Sequence, residues 1–362
     1  MDYNEYIEEI LGSIGNGLDG LLSGLTDKQY ELFGSRDFVS VLRDVLSGNF
    51  SLDVSDVFSF VLSLFGSSLA ALVALLVTVV SVSIAYSIIG SLKGGRCADS
   101  VDGAVKFAST ASVLAVVGVT AVSMFSMCAE TLSAMSAQIN AIFPLILTLM
   151  AGMGGATTAS VFSPSIAIVT GGLFTLIVNV LLPLLITAFV FGAVGNAAGE
   201  SSQFGKMSGF LRSAVKWLFG TGFFLLSAVL GVQGVTASVM DNIGIRSAKF
   251  TIGKYVPVIG GYMSDGFNLI VSGGIAVKNA LGYTALVLLI LTALPAIVQI
   301  AAFSLCLQLS AAVIEPLGNK QLSDMLYGMG KTVTLTGGIM FGAGFLYFIL
   351  VLIVMSAGNV FL

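Results

Sequence analysis

The chain has 362 residues, 56% of them hydrophobic and only 9% charged, with a net charge of −4 and a mean hydropathy of +1.02. A soluble domain carries roughly a quarter charged residues, so the composition excludes an ordinary soluble fold and points to an integral membrane protein. Histidine is absent. That removes His–Ser and His–Cys nucleophilic sites, His-based metal sites and His proton relays. The chain is not expected to be an enzyme, and no cofactor, metal or nucleic-acid partner is read from it.

Residues 1–56 hold eleven acidic and three basic side chains, a net −8, whereas 57–362 carry +4. The first region is expected to be an acidic, amphipathic helical segment outside the cytoplasm, and 57–362 a multi-pass transmembrane domain. In 26-TDKQ-29, Thr26 and Gln29 have capping-box spacing. Leu32, Phe33, Val39, Val41, Leu42 and Val45 then supply an intermittent apolar face, and Gly48 is placed to close the helix. Ser55 is the candidate cap of the next helix, which enters the first span near Phe58. So short a region can hardly bury a core alone, so it is expected to pack on the membrane surface or on a partner. Its shortage of Lys and Arg puts the N-terminus outside and the loop with Lys93, Arg96 and Lys106 inside. No basic stretch and apolar core precede Asp2, so a signal peptide is not read at this end. Residues 15-GNGLDG-20 match G-x-G-x-x-G by letters, but without a βαβ unit they read as a turn.

Uncharged runs follow at 57–92, 107–129, 131–199, 217–240, 279–314 and 332–362. Apolar stretches of about 18 or more residues read as membrane helices, and the longest run has room for two or three passes. About seven spans are expected. None alternates like a barrel strand, so the fold class is all-α, a polytopic membrane helical bundle. Gly90/Gly94, Gly338/Gly342 and 152-GMGG-155 suit close helix packing, and Pro164, Pro183 and Pro295 are expected to kink or interrupt their helices. GVTAVSM (118–124), GATTASV (155–161) and GVTASVM (234–240) resemble one another, a similarity that chance also produces in a chain this rich in small residues. Cys97, Cys128 and Cys306 are odd in number and far apart, and read as free buried thiols. In 328-GMGKT-332 the first glycine of a phosphate loop is replaced by Met325, so this stretch reads as a loop ahead of the last span.

The segment 241–278 breaks the pattern. It holds Asp241, Arg246, Lys249, Lys254, Asp265 and Lys278. At mid-membrane these six charges cost roughly 15–20 kcal/mol, against about 4–8 kcal/mol returned by its Ile, Val, Leu and Phe residues. It cannot cross as a lipid-facing helix. Irregular backbone at membrane depth survives only inside protein or against water, so a re-entrant or interfacial helix–break–helix hairpin is expected. Gly253, Pro257, Gly260 and Gly261 form its hinge, and Ser264 or Asp265 caps the second arm. Arg246 and Lys249, at i and i+3, share one helical face. Two roles stay open: anchoring at the headgroup level by snorkelling lysines, or lining a polar conduit or docking a partner.

The block 249-KFTIGKYVPVIGGYMSD-265, within 234–282, resembles the central region of the stage III sporulation protein AE family of endospore-forming bacteria. Also similar are 144-PLILTLMAGMGGATTASVFSP-164, 183-PLLITAFV-190, 217-WLFGTGFF-224 and 315-EPLGNKQLSDML-326, in order along nearly the whole chain. The resemblance implies a multi-pass protein of the mother-cell membrane around the forespore. It further implies a place in a channel assembly joining the two cells, with the other stage III sporulation channel subunits and membrane lipid as partners; homo-oligomerisation is open. The family offers no catalytic residues to carry over, and its members often begin with a signal peptide, unlike this chain. A stand-alone secondary transporter is the alternative, with Glu130, Asp241, Asp265 and Glu315 as coupling carboxylates. A purely structural scaffold is the third reading.

Overall fold

The computed structural model describes residues 38–50, 54–91, 98–197, 203–255 and 260–357, together with Gly12, Leu18 and Gln29; for 234–255 and 260–270 it describes the backbone alone. All regular elements among these are helical. A short helix α1 (Phe38–Ser47) precedes α2 (Val54–Ser91), α3 (Ala98–Gly152), α4 (Ala156–Ala167), α5 (Leu182–Ala197), α6 (Gln203–Tyr255), α7 (Gly260–Ile314) and α8 (Lys320–Ser356). The fold is an all-α polytopic bundle.

Among the described residues, six stretches are long and apolar enough to cross a membrane: Phe58–Ile88, Gly103–Gly152, Ala156–Gly195, Phe204–Gln233, Val271–Leu317 and Lys320–Ser356. The uncharged runs had suggested about seven, because Glu130 divides two of them. The helix passes straight through Glu130, since glutamate is a good helix former. At about 1.5 Å per residue, α3 with its 55 residues is on the order of 80 Å long. A hydrocarbon core is only about 30 Å thick, so much of α3 stands outside any one bilayer core.

The helix ends follow local chemistry. Gly48 takes φ 73° and ends α1 in a Schellman motif: Gly48 N–H donates to the Val45 carbonyl and Asn49 N–H to that of Asp44, at 2.9 Å. The α1 face Phe38, Val41 and Leu42 is buried, and the helix packs on α7 of the same chain. Phe50 meets Tyr283 edge-on at 5.8 Å, and Gln29 Nε2 donates to the Leu291 carbonyl at 2.7 Å. Ser55 lies one residue inside α2, already helical at Val54. Before the last span, Glu315–Leu317 forms one 3₁₀ turn, Gly318 takes φ 84°, and the Asn319 side chain caps α8 by accepting from Leu322 N–H at 3.2 Å.

The cluster 152-GMGG-155 is a turn and not a helix-packing motif: Gly154 sits at φ 95° between α3 and α4. Of the pair 338/342, Gly342 is packed, with a hypothetical Cβ 2.7 Å from the Phe219 ring, while Gly338 has open space. Three of the prolines lie within helices. Pro144, Pro164 and Pro295 lie inside α3, α4 and α7. Between α4 and α5 the ladder widens into π turns at Ile168–Phe174 and Ile177–Leu181, where Pro183, lacking an N–H, follows directly. The stretch 328–332 is helical, within α8, and not the loop expected from sequence.

Where α5 turns back to α6, a Cβ on Gly195 would lie 2.5 Å from Gly205 N and 2.9 Å from the Phe204 carbonyl carbon. Backbone cannot swing aside as a ring can. Gly195→Ala is therefore expected to destabilise the protein by about 1–3 kcal/mol, the usual range for overpacking. Gly338→Ala, facing open space, should be neutral or stabilising. Apparent melting temperatures of the two variants in one detergent check both.

Candidate functional site

Large side chains fill much of the described interior. Phe143, Phe162, Phe174, Phe303 and Tyr347 are all fully buried, and Phe143 of α3 meets Tyr347 of α8 at 6.3 Å between ring centres. Polar side chains are buried among them, several in pairs between helices. Gln138 donates to Thr292 Oγ1 at 2.8 Å, Ser165 pairs with Gln233, and Arg212 reaches the Gly328 carbonyl at 2.7 Å. Cys128 and Cys306 are free and buried, as expected, and Cys97 lies outside the described residues.

The charged residues singled out from sequence divide into two groups. Asp241, Arg246, Lys249 and Lys254 lie on α6 beyond Gln233, where its apolar stretch ends. The same helix continues unbroken through Gly253 to Tyr255, about 33 Å past Gln233 at 1.5 Å per residue. The first arm of the expected hairpin is therefore the end of a long helix, not a separate short one. Extending a formed helix needs no new nucleus, which outweighs the modest penalties of glycine and β-branched residues. Gly260 and Gly261 open α7, and Asp265 follows within it, ahead of the apolar stretch that begins at Val271. Ser264 lies inside α7 and does not cap it. Pro257 lies outside the described residues.

Lys278 is placed quite differently. It lies inside the apolar stretch of α7 and is fully buried. Its Nζ donates to the carbonyls of Met355, at 2.8 Å, and Ala357, at 2.5 Å. These are among the final carbonyls of α8, which have no partner within their own helix, and the negative end of the helix dipole favours a cation there. Neighbours one turn away make the approach possible. A Cβ on Gly282 would collide with the Met355 side chain, and one on Gly274 with the Met153 sulfur. The face Gly274–Lys278–Gly282 thus lets α7 close on the α8 terminus and on the α3–α4 turn. Sequence reasoning grouped Lys278 with the hairpin charges; the signal available was its four-residue spacing from two glycines.

Of the carboxylates considered for transport coupling, Glu130 and Glu315 are exposed and point away from the bundle interior.

Six long apolar helices packed in this way define a polytopic α-helical membrane protein. The chain belongs to the stage III sporulation protein AE family, whose members it matches over residues 36–358. It is 28% identical over 229 residues to Stage III sporulation protein AE of Bacillus subtilis (strain 168), an alignment covering 63% of this chain and 57% of that protein. The aligned part therefore spans little more than half of that relative. No solved structure matches the chain. It is a sporulation membrane protein.

Proposed function

We propose that this protein is a subunit of a channel assembly in the mother-cell membrane around the forespore, and that it acts through its outer surfaces and the charged end of α6. The observation that carries the reading is the filled interior. Phe143, Phe162, Phe174 and Tyr347 are fully buried in the described part of the bundle, which favours a protein that works through its outer surfaces over one with a central solute cavity. On this reading the protein works by what it presents outward, to lipid and to other subunits. Asp241, Arg246, Lys249, Lys254 and Asp265, beyond the apolar stretches of α6 and α7, are the proposed docking or conduit charges. Lys278 is assigned instead to holding α7 against α8.

The test is purification of a tagged copy from sporulating cells in mild detergent. Recovery in a complex several times the 37.3 kDa of the chain, together with other sporulation membrane proteins, is the expected result. Recovery alone, with solute flux in proteoliposomes, would replace this reading with the stand-alone transporter.

A further inference from the structure

The outer faces of the bundle differ sharply in chemistry. On α6, Phe210, Trp217, Phe224 and Leu225 are exposed; on α8, Phe341, Phe345 and Leu352 are. These are faces that lipid solvates well. From Ser123 onward, the exposed face of α3 instead reads Ser123, Ser126, Glu130, Ser133, Asn140 and Thr148, interspersed with alanines and Pro144. The large apolar side chains of α3 over 123–151 are buried, as Leu132, Met135, Ile139, Ile142 and Met150 are, or half-buried, as Met127, Leu145, Leu147 and Leu149 are. Across from it α4 exposes Ser160 and Ser163. Between the two helices runs a groove of about 550 Å³ lined by Asn140, Thr148 and these two serines together with Pro144, Leu147, Ile166 and alanines.

Two points on this polar face lie level with lipid-type faces. The contact of Phe143 with Tyr347 puts Asn140, one turn from Phe143, level with the exposed Phe345 and Phe348 on another side of the bundle. The contact of Phe125 with Phe189 at 5.9 Å likewise puts Ser126 level with exposed Val190. Thr148 and Ser160 hydroxyls donate to their own helices, to the Pro144 and Thr157 carbonyls, both at 2.8 Å. Such back-bonding makes a hydroxyl tolerable in lipid. Asn140 has no side-chain partner among the described residues and Glu130 carries a carboxylate. An unpartnered amide costs about 4–8 kcal/mol in hydrocarbon, and an ionised carboxylate is also costly there. In water neither costs anything.

We infer that the α3–α4 face from Ser123 to Thr148 borders water within the membrane, as one wall of a hydrated path whose other walls come from further subunits. The inference rests on the assembly reading above. The wall carries one carboxylate and no base, since 107–129 and 131–199 are uncharged, so the path suits hydrated neutral or cationic small solutes over anions.

Single cysteines test it in the full-length protein within membrane vesicles of both orientations, using a charged, membrane-impermeant methanethiosulfonate. Asn140→Cys and Ser163→Cys should react at least tenfold faster than Leu225→Cys and Phe345→Cys, with the unsubstituted chain as the blank for its native thiols. All four side chains point out of the bundle, so folding should be preserved. Equal, slow reaction at all four positions would place the wall in lipid and overturn the inference. So would closure to the reagent with Asn140→Cys disulfide-linked to a second copy, which makes the face a subunit contact. Co-purification is read separately: a labelled wall without partners leaves the hydrated face standing and removes the assembly, and partners with an unlabelled wall do the reverse.

Discussion

Replacing Lys278 by methionine should destabilise the protein while leaving its apolar stretches as membrane-compatible as before. Methionine keeps most of the side-chain volume but removes the donor that serves the carbonyls of Met355 and Ala357. Two buried acceptors left unmade cost about 1–3 kcal/mol each, and the favourable interaction of a cation with the end of α8 is lost as well. Glutamine, which retains an N–H donor, should recover part of the loss. Aspartate should be worst, because it sets an anion against carbonyl oxygens at a helix C-terminus. The readouts are steady-state amount in the membrane and melting temperature in detergent. If Lys278 were a conduit charge, methionine would leave stability untouched and remove function alone. Wild-type melting with lost sporulation would therefore overturn the structural role.

Much of the fold is legible in the residues because the bilayer leaves few options. A run of uncharged apolar residues must satisfy its own backbone, and a helix is how one segment does so. Cap chemistry was readable in part: Gly48, with a polar successor and an apolar face before it, ends α1 as its sequence implies, but Ser55 and Ser264 lie inside α2 and α7. What failed was judgement about interruptions. Glu130 looks like a break, yet α3 runs through it because glutamate is a good helix former, while Pro164 and Pro183 flank the π turns between α4 and α5. The glycines of 152-GMGG-155 look like a helix interface, yet one of them adopts a left-handed turn. Composition cannot separate these uses of glycine, since both need only a missing Cβ. The role of Lys278 was hidden for a related reason. Its acceptors are backbone carbonyls 77 and 79 residues away, and carbonyls leave no trace in a sequence. The polar face of α3 was present as spacing, but only the packed structure says which face is outside.

Alanine at both Arg246 and Lys249 should reduce sporulation to the level of a strain lacking the protein, with the variant still fully inserted. The argument turns on what the substitution cannot disturb. Alanine has the highest helix propensity, so α6, helical through both positions to Tyr255, remains a helix. Removing two bases also makes residence near the membrane cheaper, by up to about 2.5–3.5 kcal/mol for each charge at mid-bilayer. Failed folding or failed insertion is thus an unsuitable explanation for the defect, which leaves loss of what the charges contact. Exchanging the two residues, Arg246→Lys with Lys249→Arg, separates the remaining roles. Headgroup anchoring tolerates the exchange, because either base can snorkel. A docking site that holds a carboxylate through the planar guanidinium fork does not, since lysine offers only a point charge. The expected pattern is a null double alanine and a strongly impaired exchange. A null double alanine with a fully active exchange would reduce the charged end of α6 to an anchor, and normal sporulation in both variants would remove it from the function altogether.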